Sequence, residues 1–229
     1  ALTNPHLSFT EEEEEAGQSA LRGLGIPDGA SFVCLHSRDS LYLSLEYPEL
    51  DMSYHDYRDS SIANFLPAAK ELARRGYYVV RTGASVKEPI SESIPGIIDY
   101  ASAGRSEFLD IYLGARCAFY LGDPCGFHAV PMIFRRPLAI VNMIPFEYPP
   151  TWAANCPYLP KKQWSEKEDR ALTFREILES GIGKYLHDYQ YKEAGIGVIE
   201  NTPEEITANA VEMVERLEGI WQTSDEDEY

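Results

Sequence analysis

The residues best equipped for chemistry stand together at His36, Ser37, Arg38 and Asp39, directly after the apolar run Phe32-Val33-Cys34-Leu35. Pro27-Asp28-Gly29 precedes that run, which reads as a strand buried on both faces, the pattern of a parallel sheet under helices. In open α/β sheets ligands bind in the crevice beyond the carboxyl ends of the strands, so a polar cluster there is placed for chemistry. Arg38 suits a diphosphate, because its planar fork donates paired hydrogen bonds and its charge does not titrate. The same four residues would equally make a surface ion pair with a loop histidine beside it.

Two further strand ends add candidates. The run Tyr77-Tyr78-Val79-Val80-Arg81 brings Arg81 to the same sheet edge as Arg38, since a right-handed crossover through a helix makes the two strands parallel. A strand over 117–121 leads into Gly122-Asp123-Pro124-Cys125-Gly126. Such a turn aims backbone N–H groups at an anion, ahead of a helix over 127–134. An ordinary βα connection has the same composition.

These candidates require a frame of alternating strands and helices. Thr10 is an N-cap with acids filling the first helical turn, and Gly25 ends that helix. The run Glu11 to Glu15 thus has a structural reason, and it lacks the convergent ligands of a metal site. Residues 39–59 form a long polar and aromatic loop, which either closes over a ligand or is a surface excursion. Ser60 or Ser61 caps a helix whose apolar positions run from Ile62 to Ala73 at helical spacing. A short strand at 97–100, a helix over 106–115, a strand over 137–142 and a helix over 173–180 follow. Residues 144–164, rich in Pro, Tyr and Trp, read as a structured loop. Thr202-Pro203-Glu204-Glu205 is a capping arrangement for a last helix. The expected organisation is a lead-in at 1–9, one Rossmann-like domain over 10–221 and an acidic tail at 222–229. The fold class is α/β, an open parallel sheet with helices on both faces.

Composition narrows the function. The chain has 229 residues, 44% of them apolar, enough for an ordinary buried core. Lys and Arg total 20 against 37 Asp and Glu, a formal charge of −17 that repels nucleic acid. A phosphate-bearing ligand must therefore be small and sit in a local positive pocket, as a nucleotide or nucleotide sugar would. Cys34, Cys117, Cys125 and Cys156 form no C-x-x-C pair, so neither a zinc site nor a redox motif is indicated. No apolar stretch nears the roughly 20 residues of a membrane span, and the N-terminal residues lack a secretory signal. A cytoplasmic protein with reduced thiols is expected.

Four pieces in order carry a resemblance: Val33-Cys34-Leu35-His36-Ser37-Arg38-Asp39, Ile98-Asp99-Tyr100-Ala101, Phe119-Tyr120-Leu121-Gly122-Asp123-Pro124-Cys125-Gly126 and Asn201-Thr202-Pro203-Glu204-Glu205-Ile206. Together they resemble a family of bacterial glycosyltransferases across most of the chain, and the H-x-R-D piece is similar to the first motif of O-fucosyltransferases. The resemblance implies the nucleotide-sugar-binding half, like the C-terminal domain, of a transferase with two Rossmann domains (the GT-B type), of the kind used in surface polysaccharide or glycan synthesis. It implies Arg38 on the diphosphate with His36 beside it, helped by Arg81, Arg105, Asp123 and the Cys125-Gly126 turn. Asp99 and Tyr100 would meet the sugar, and Asp39 or His36 would take the acceptor proton. No cofactor and no metal are expected, because no D-x-D stands at a strand end. The partners implied are a nucleotide sugar, a glycan or other hydroxyl acceptor, and an acceptor domain or protein.

Two departures qualify the resemblance. Its turn carries Ser before Gly, and Cys125 here is a weaker donor. A two-domain transferase needs about 150 to 200 residues per domain, and this chain supplies one, so it could bind donor without turning it over. The rival readings are a non-catalytic nucleotide or sugar-binding module and a scaffold that kept the fold alone. A Rossmann dehydrogenase is disfavoured, since no G-x-G-x-x-G follows the first strand.

Overall fold

The computed structural model describes residues 3–153 and 156–223. Residues 224–229 of the expected acidic tail lie outside the described residues. In chain order the elements are α1 (Glu11–Gly23), β1 (Phe32–His36), α2 (Leu41–Glu46), α3 (Leu66–Arg74), β2 (Tyr78–Arg81), β3 (Ile97–Ile98), α4 (Glu107–Arg116), β4 (Tyr120–Gly122) and α5 (Ala129–Ile133). They continue with β5 (Leu138–Met143), β6 (Tyr158–Pro160), β7 (Lys162–Ser165), β8 (Arg170–Ala171), α6 (Phe174–Ser180), α7 (Asp188–Glu193), β9 (Ile196–Ile199) and α8 (Pro203–Glu218).

Six strands form one sheet in the order β3-β2-β1-β4-β5-β6, every pair parallel. Side chains alternate between its faces, as the pleat requires. Val33, Leu35, Val79, Phe119, Leu121 and Val141 turn to one face, where α3 supplies Ala69 and Leu72 and α8 supplies Ile206, Ala210 and Met213. Phe32, Cys34, Val80, Tyr120 and Ile140 turn to the other, against Leu109, Tyr112 and Leu113 of α4 with Leu21 of α1 beside them. The expected open parallel sheet with helices on both faces is thus the fold observed. A three-stranded antiparallel sheet, β8-β7-β9, stands apart from it.

Helix ends follow local chemistry. Thr10, Thr173 and Thr202 each close a capping box with a Glu three residues on. Gly17 is fixed by packing: a Cβ there would enter the Tyr112 ring where α1 crosses α4.

The structure departs from expectation in several places. The segment 39–59 holds α2 and a 3-10 turn, Ser53–Arg58, and it is anchored by the Tyr57 hydroxyl donating to the Leu186 carbonyl at 3.0 Å. The strand expected over 117–121 forms its pairs at Tyr120–Gly122, and the helix expected over 127–134 is the five-residue α5. Most of the 144–164 loop beyond residue 157 is β6 and β7, and α7 and β9 were not expected at all. The buried positions of β7 are Gln163 and Ser165, so it shows no apolar alternation.

Candidate functional site

The strand order reverses between β1 and β4, which makes the edge beyond His36 and Gly122 the topological switch point of the sheet. Gly122 allows the two strands to end this close together, because a Cβ there would collide with the His36 carbonyl and lie 2.7 Å from the Tyr120 hydroxyl. Above this point opens a cleft of about 490 Å³, walled by His36, Arg38, Arg58, Arg105, Cys125 and Phe127 among others.

Arg38 is held from below and from the side. Its backbone N–H donates to Asp123 Oδ2 at 2.7 Å, and its guanidinium pairs with Asp59 and donates to the His55 carbonyl at 3.3 Å. Only 8% of Arg38 is exposed, yet it lines the cleft. Arg58, from the 3-10 turn, lies next to it. Its Nη2 donates to the Pro124 carbonyl at 3.0 Å, while its buried Nε has no hydrogen-bond partner among the described residues. Burial and the like charge of Arg38 push the Arg58 guanidinium down from its usual range. Burial first, then Arg58 and Arg38, also lowers His55. Arg38 and Arg58 thus bring two adjacent, partly dehydrated guanidiniums to the cleft wall, with the Arg38 partner Asp59 outside the lining and Asp39 and Asp110 elsewhere in it. Adjacent guanidiniums attract anions.

Lys161 fixes this wall from behind. It is 3% exposed and donates through Nζ to the Tyr57 carbonyl at 3.1 Å and to the Asp59 carbonyl. Burial holds its ammonium below the ordinary lysine range.

Cys125 faces His36 across the cleft floor. The His36 Nδ1 lies 3.0 Å from the Thr82 carbonyl, which can only accept, so that nitrogen carries a proton and Nε2 is left for the sulfur. Burial alone would lower His36, but the Cys125 sulfur, Asp123 and the Thr82 carbonyl outweigh it and push the imidazole up to about 9. Burial alone would raise Cys125, and the His36 charge with side-chain contacts to His128, His36 and Tyr120 instead hold it well below the thiol range. The Cys125 N–H is already engaged with His128 Nδ1 at 3.0 Å, so it is not a free donor for a phosphate.

The remaining expected site residues divide. His36, Arg38, Asp39, Arg105, Cys125 and Gly126 all line the cleft. Asp39 spends both oxygens on backbone, accepting from Leu41 N at 2.9 Å and Lys87 N at 3.0 Å. Arg105 is paired with Asp110 at 2.6 Å. Arg81, Asp99, Tyr100 and Asp123 are not in the cleft wall. Arg81 is 1% exposed and lies 3.5 Å from Asp99, which itself accepts from Ile90 N and the Ser102 hydroxyl, both at 2.8 Å. Tyr100 is fully buried, its hydroxyl 3.0 Å from Asp110 Oδ1. Asp123 is equally buried beneath the cleft, where it accepts from Arg38 N, the Ser60 hydroxyl and, at 2.8 Å, Asn142 Nδ2. Burial outweighs those bonds and raises Asp123 to about 6. These four residues are girders: a carboxylate, phenol or guanidinium near a strand end looks available in sequence, and only packing shows that it lies outside the cleft wall.

Arg58, Asp59, His55 and Lys161 escaped the sequence reading. The available signal was the dense run of charged and aromatic residues at 54–59, which pointed to a loop worth attention without naming its members. A second cleft, about 400 Å³, lies across the same Arg58 and His55 wall, with Tyr54, Tyr148 and His187 among its aromatic sides.

No family model matches the sequence, and no curated protein matches it either. In three dimensions the chain has the fold of glycosyltransferase structures of the GT-B type. One is the ADP-heptose lipopolysaccharide heptosyltransferase II of E. coli, with a TM-score of 0.57 and 14% identity over 95% of this chain and 56% of that one. Another is a glycosyl transferase of family 9 from Veillonella parvula, with a TM-score of 0.55 and 13% identity over 94% of this chain and 55% of that one. The chain spans about half the length of these structures. Among the described residues no helix is long and apolar enough to cross a membrane.

Proposed function

We propose that the cleft at the β1 and β4 ends binds the pyrophosphate of a nucleoside-diphosphate sugar, and that the chain is the donor-binding half of a glycosyltransferase acting on an acceptor hydroxyl. The observation that carries this reading is the adjacency of Arg38 and Arg58, both in the cleft lining at the switch point, on a chain whose net charge is −17. Elsewhere that net charge opposes an anion; here two dehydrated guanidiniums invite one.

The transfer step is displacement at the anomeric carbon, with the nucleoside diphosphate leaving. Arg38, Arg58 and protonated His36 would stabilise the charge that develops on the departing phosphate oxygens. With its imidazole raised to about 9, His36 is a cation near neutral pH and a poor base. Asp39 clamps two backbone N–H groups and is poorly placed to take a proton. The acceptor's proton is therefore assigned to a group outside these residues, which accords with a chain half the length of its structural neighbours. The aromatic walls of the second cleft suit the planar base of the nucleotide. A cytoplasmic setting, where nucleotide sugars are made, completes the reading.

Thermal-shift and calorimetric titration with a panel of nucleoside diphosphates and their sugars tests it. At least one should stabilise the protein, and Arg58→Ala should weaken binding by at least about tenfold while leaving the fold intact. If no diphosphate binds at about millimolar concentration, or if Arg58→Ala binds as tightly as the parent, the assignment fails.

A further inference from the structure

Arg38 is gripped twice through its main chain, and both grips meet at one buried group. Its N–H donates to Asp123 Oδ2 at 2.7 Å, and its carbonyl accepts the Ser60 N–H at 2.9 Å. The Ser60 hydroxyl donates to that same Asp123 oxygen, so the three residues close a ring. The Asp123 peptide is pinned in turn: its N–H donates to the His36 carbonyl at 3.2 Å, and its carbonyl accepts the Tyr120 hydroxyl at 2.6 Å. Asp123 Oδ1 takes the Asn142 amide at 2.8 Å. Every partner of the carboxylate is therefore a donor. The N–H groups of Arg38 and Asn142 can only donate, and the Ser60 hydroxyl is the one partner able to turn round and accept. The surroundings are built for a carboxylate and leave little room for a carboxylic acid.

We propose that Asp123 is a positioning residue of the diphosphate site: as a carboxylate it locks the Arg38 main chain so that the guanidinium stands in the cleft wall, and taking up a proton releases it. This rests on the donor-binding reading above and adds a pH dependence to it. A proton on Oδ2 sets an O–H against the Arg38 N–H or forces the Ser60 hydroxyl round, and a proton on Oδ1 faces the Asn142 amide. In each case a buried donor loses its partner, which is costly enough to move the chain. The charged and titratable groups around Asp123 come from several elements: Arg38 and His36 from the end of β1, Tyr120 from β4 and Lys161 from the link between β6 and β7. Burial outweighs the donors and Lys161 and raises the carboxyl to about 6, so the ring is closed near neutral pH and opens as pH falls through that value. His55, in the same wall, gains charge as pH falls and acts with the opposite sign on an anion. Comparison of variant with parent cancels it.

The test is calorimetric titration of the intact chain with UDP-glucose, GDP-mannose and ADP-glucose between about pH 5 and pH 8. Their diphosphates are esterified at both ends, so the ligand charge is constant across that range. Asp123→Asn stands in for the protonated acid at every pH. For the tightest binder, the parent should bind at least about fivefold more tightly than this variant at about pH 8, and the ratio should fall towards one at about pH 5, with its midpoint near 6. Ser60→Ala removes one donor to the carboxylate and keeps the backbone bond to Arg38, so its own loss of affinity on acidification should have a midpoint at least about half a pH unit higher than the parent's. If Asp123→Asn does not fold, Ser60→Ala decides. A parent that binds none of the three ligands brings down the donor reading and this proposal with it. Binding that Arg58→Ala weakens, but that is equal in the parent and Asp123→Asn at every pH, overturns this proposal alone. So does a ratio that is the same at both ends of the pH range, which is what a merely structural role gives, or a Ser60→Ala midpoint that coincides with the parent's.

Discussion

Asn142 and Asn201 each accept the other's backbone N–H through the side-chain oxygen, at 2.6 and 2.7 Å. Their remaining amide groups extend the pair. Asn142 donates to Asp123 at 2.8 Å and Asn201 to the Pro160 carbonyl at 2.9 Å. Asn142 holds a left-handed backbone, φ 51, which Asn tolerates better than most side chains. The ends of β4, β5 and β6 and the entry to α8 are thereby joined through side chains, and the far end of the network is the Arg38 N–H.

Asn201→Ala would strand two buried partners at once, the Asn142 N–H and the Pro160 carbonyl. A loss of about 2 to 4 kcal/mol in urea unfolding is expected. A loss under about 0.5 kcal/mol would show that the network contributes little.

Gly122→Ala places a methyl group against the His36 carbonyl and the Tyr120 hydroxyl, both on rigid neighbours. Overpacking of this kind costs about 1 to 3 kcal/mol. The expected result is a lower melting temperature together with weaker ligand binding, since the displaced carbonyl belongs to the residue that begins the cleft floor. Unchanged melting would mean that β1 and β4 can separate at little cost.

Much of the frame was legible in the sequence because its signals are local. The Thr10 and Thr202 capping boxes and the apolar runs of β1, β2 and β5 announce themselves by type and spacing. Arg38, His36 and Cys125 were legible because each stands at a strand end or within a few residues beyond one. Arg58 was not, since a 3-10 turn has no long-range period and its neighbours Tyr57 and Asp59 look like loop residues. Nor could the sequence separate Asp123 from an available ligand, because its burial depends on Ser60 and Asn142, distant in the chain.

Asp59 competes for the guanidinium that the ligand would use. Asp59→Asn keeps the shape of the side chain and removes its charge, so diphosphate affinity should rise several-fold in calorimetry. A fall in affinity would mean instead that Asp59 orients Arg38 for binding.

The Cys125 and His36 pair predicts a particular pH profile of stability. A lowered thiol stabilises above its unfolded value and loses that contribution as pH falls through its folded value; a raised His36 stabilises below about 6.5 and loses it as pH rises through about 9. The two slopes cancel between about pH 6.5 and pH 9. The stability difference between the parent and Cys125→Ser should therefore grow as pH rises towards about 6.5 and then level off. The opposite contribution of Asp123, raised to about 6, is common to both proteins and drops out of the difference. A difference that keeps growing to pH 9 would contradict the pairing.

Lys161 occupies the single residue between β6 of the large sheet and β7 of the small one, and its ammonium holds the carbonyls on either side of Arg58. The peptide that links the two sheets is thus also the mount for the cationic wall. A change in tilt of the small sheet would reach the spacing of the two guanidiniums through Lys161 and through Tyr57, which packs with Ile196 of β9, like a lever acting on a clamp.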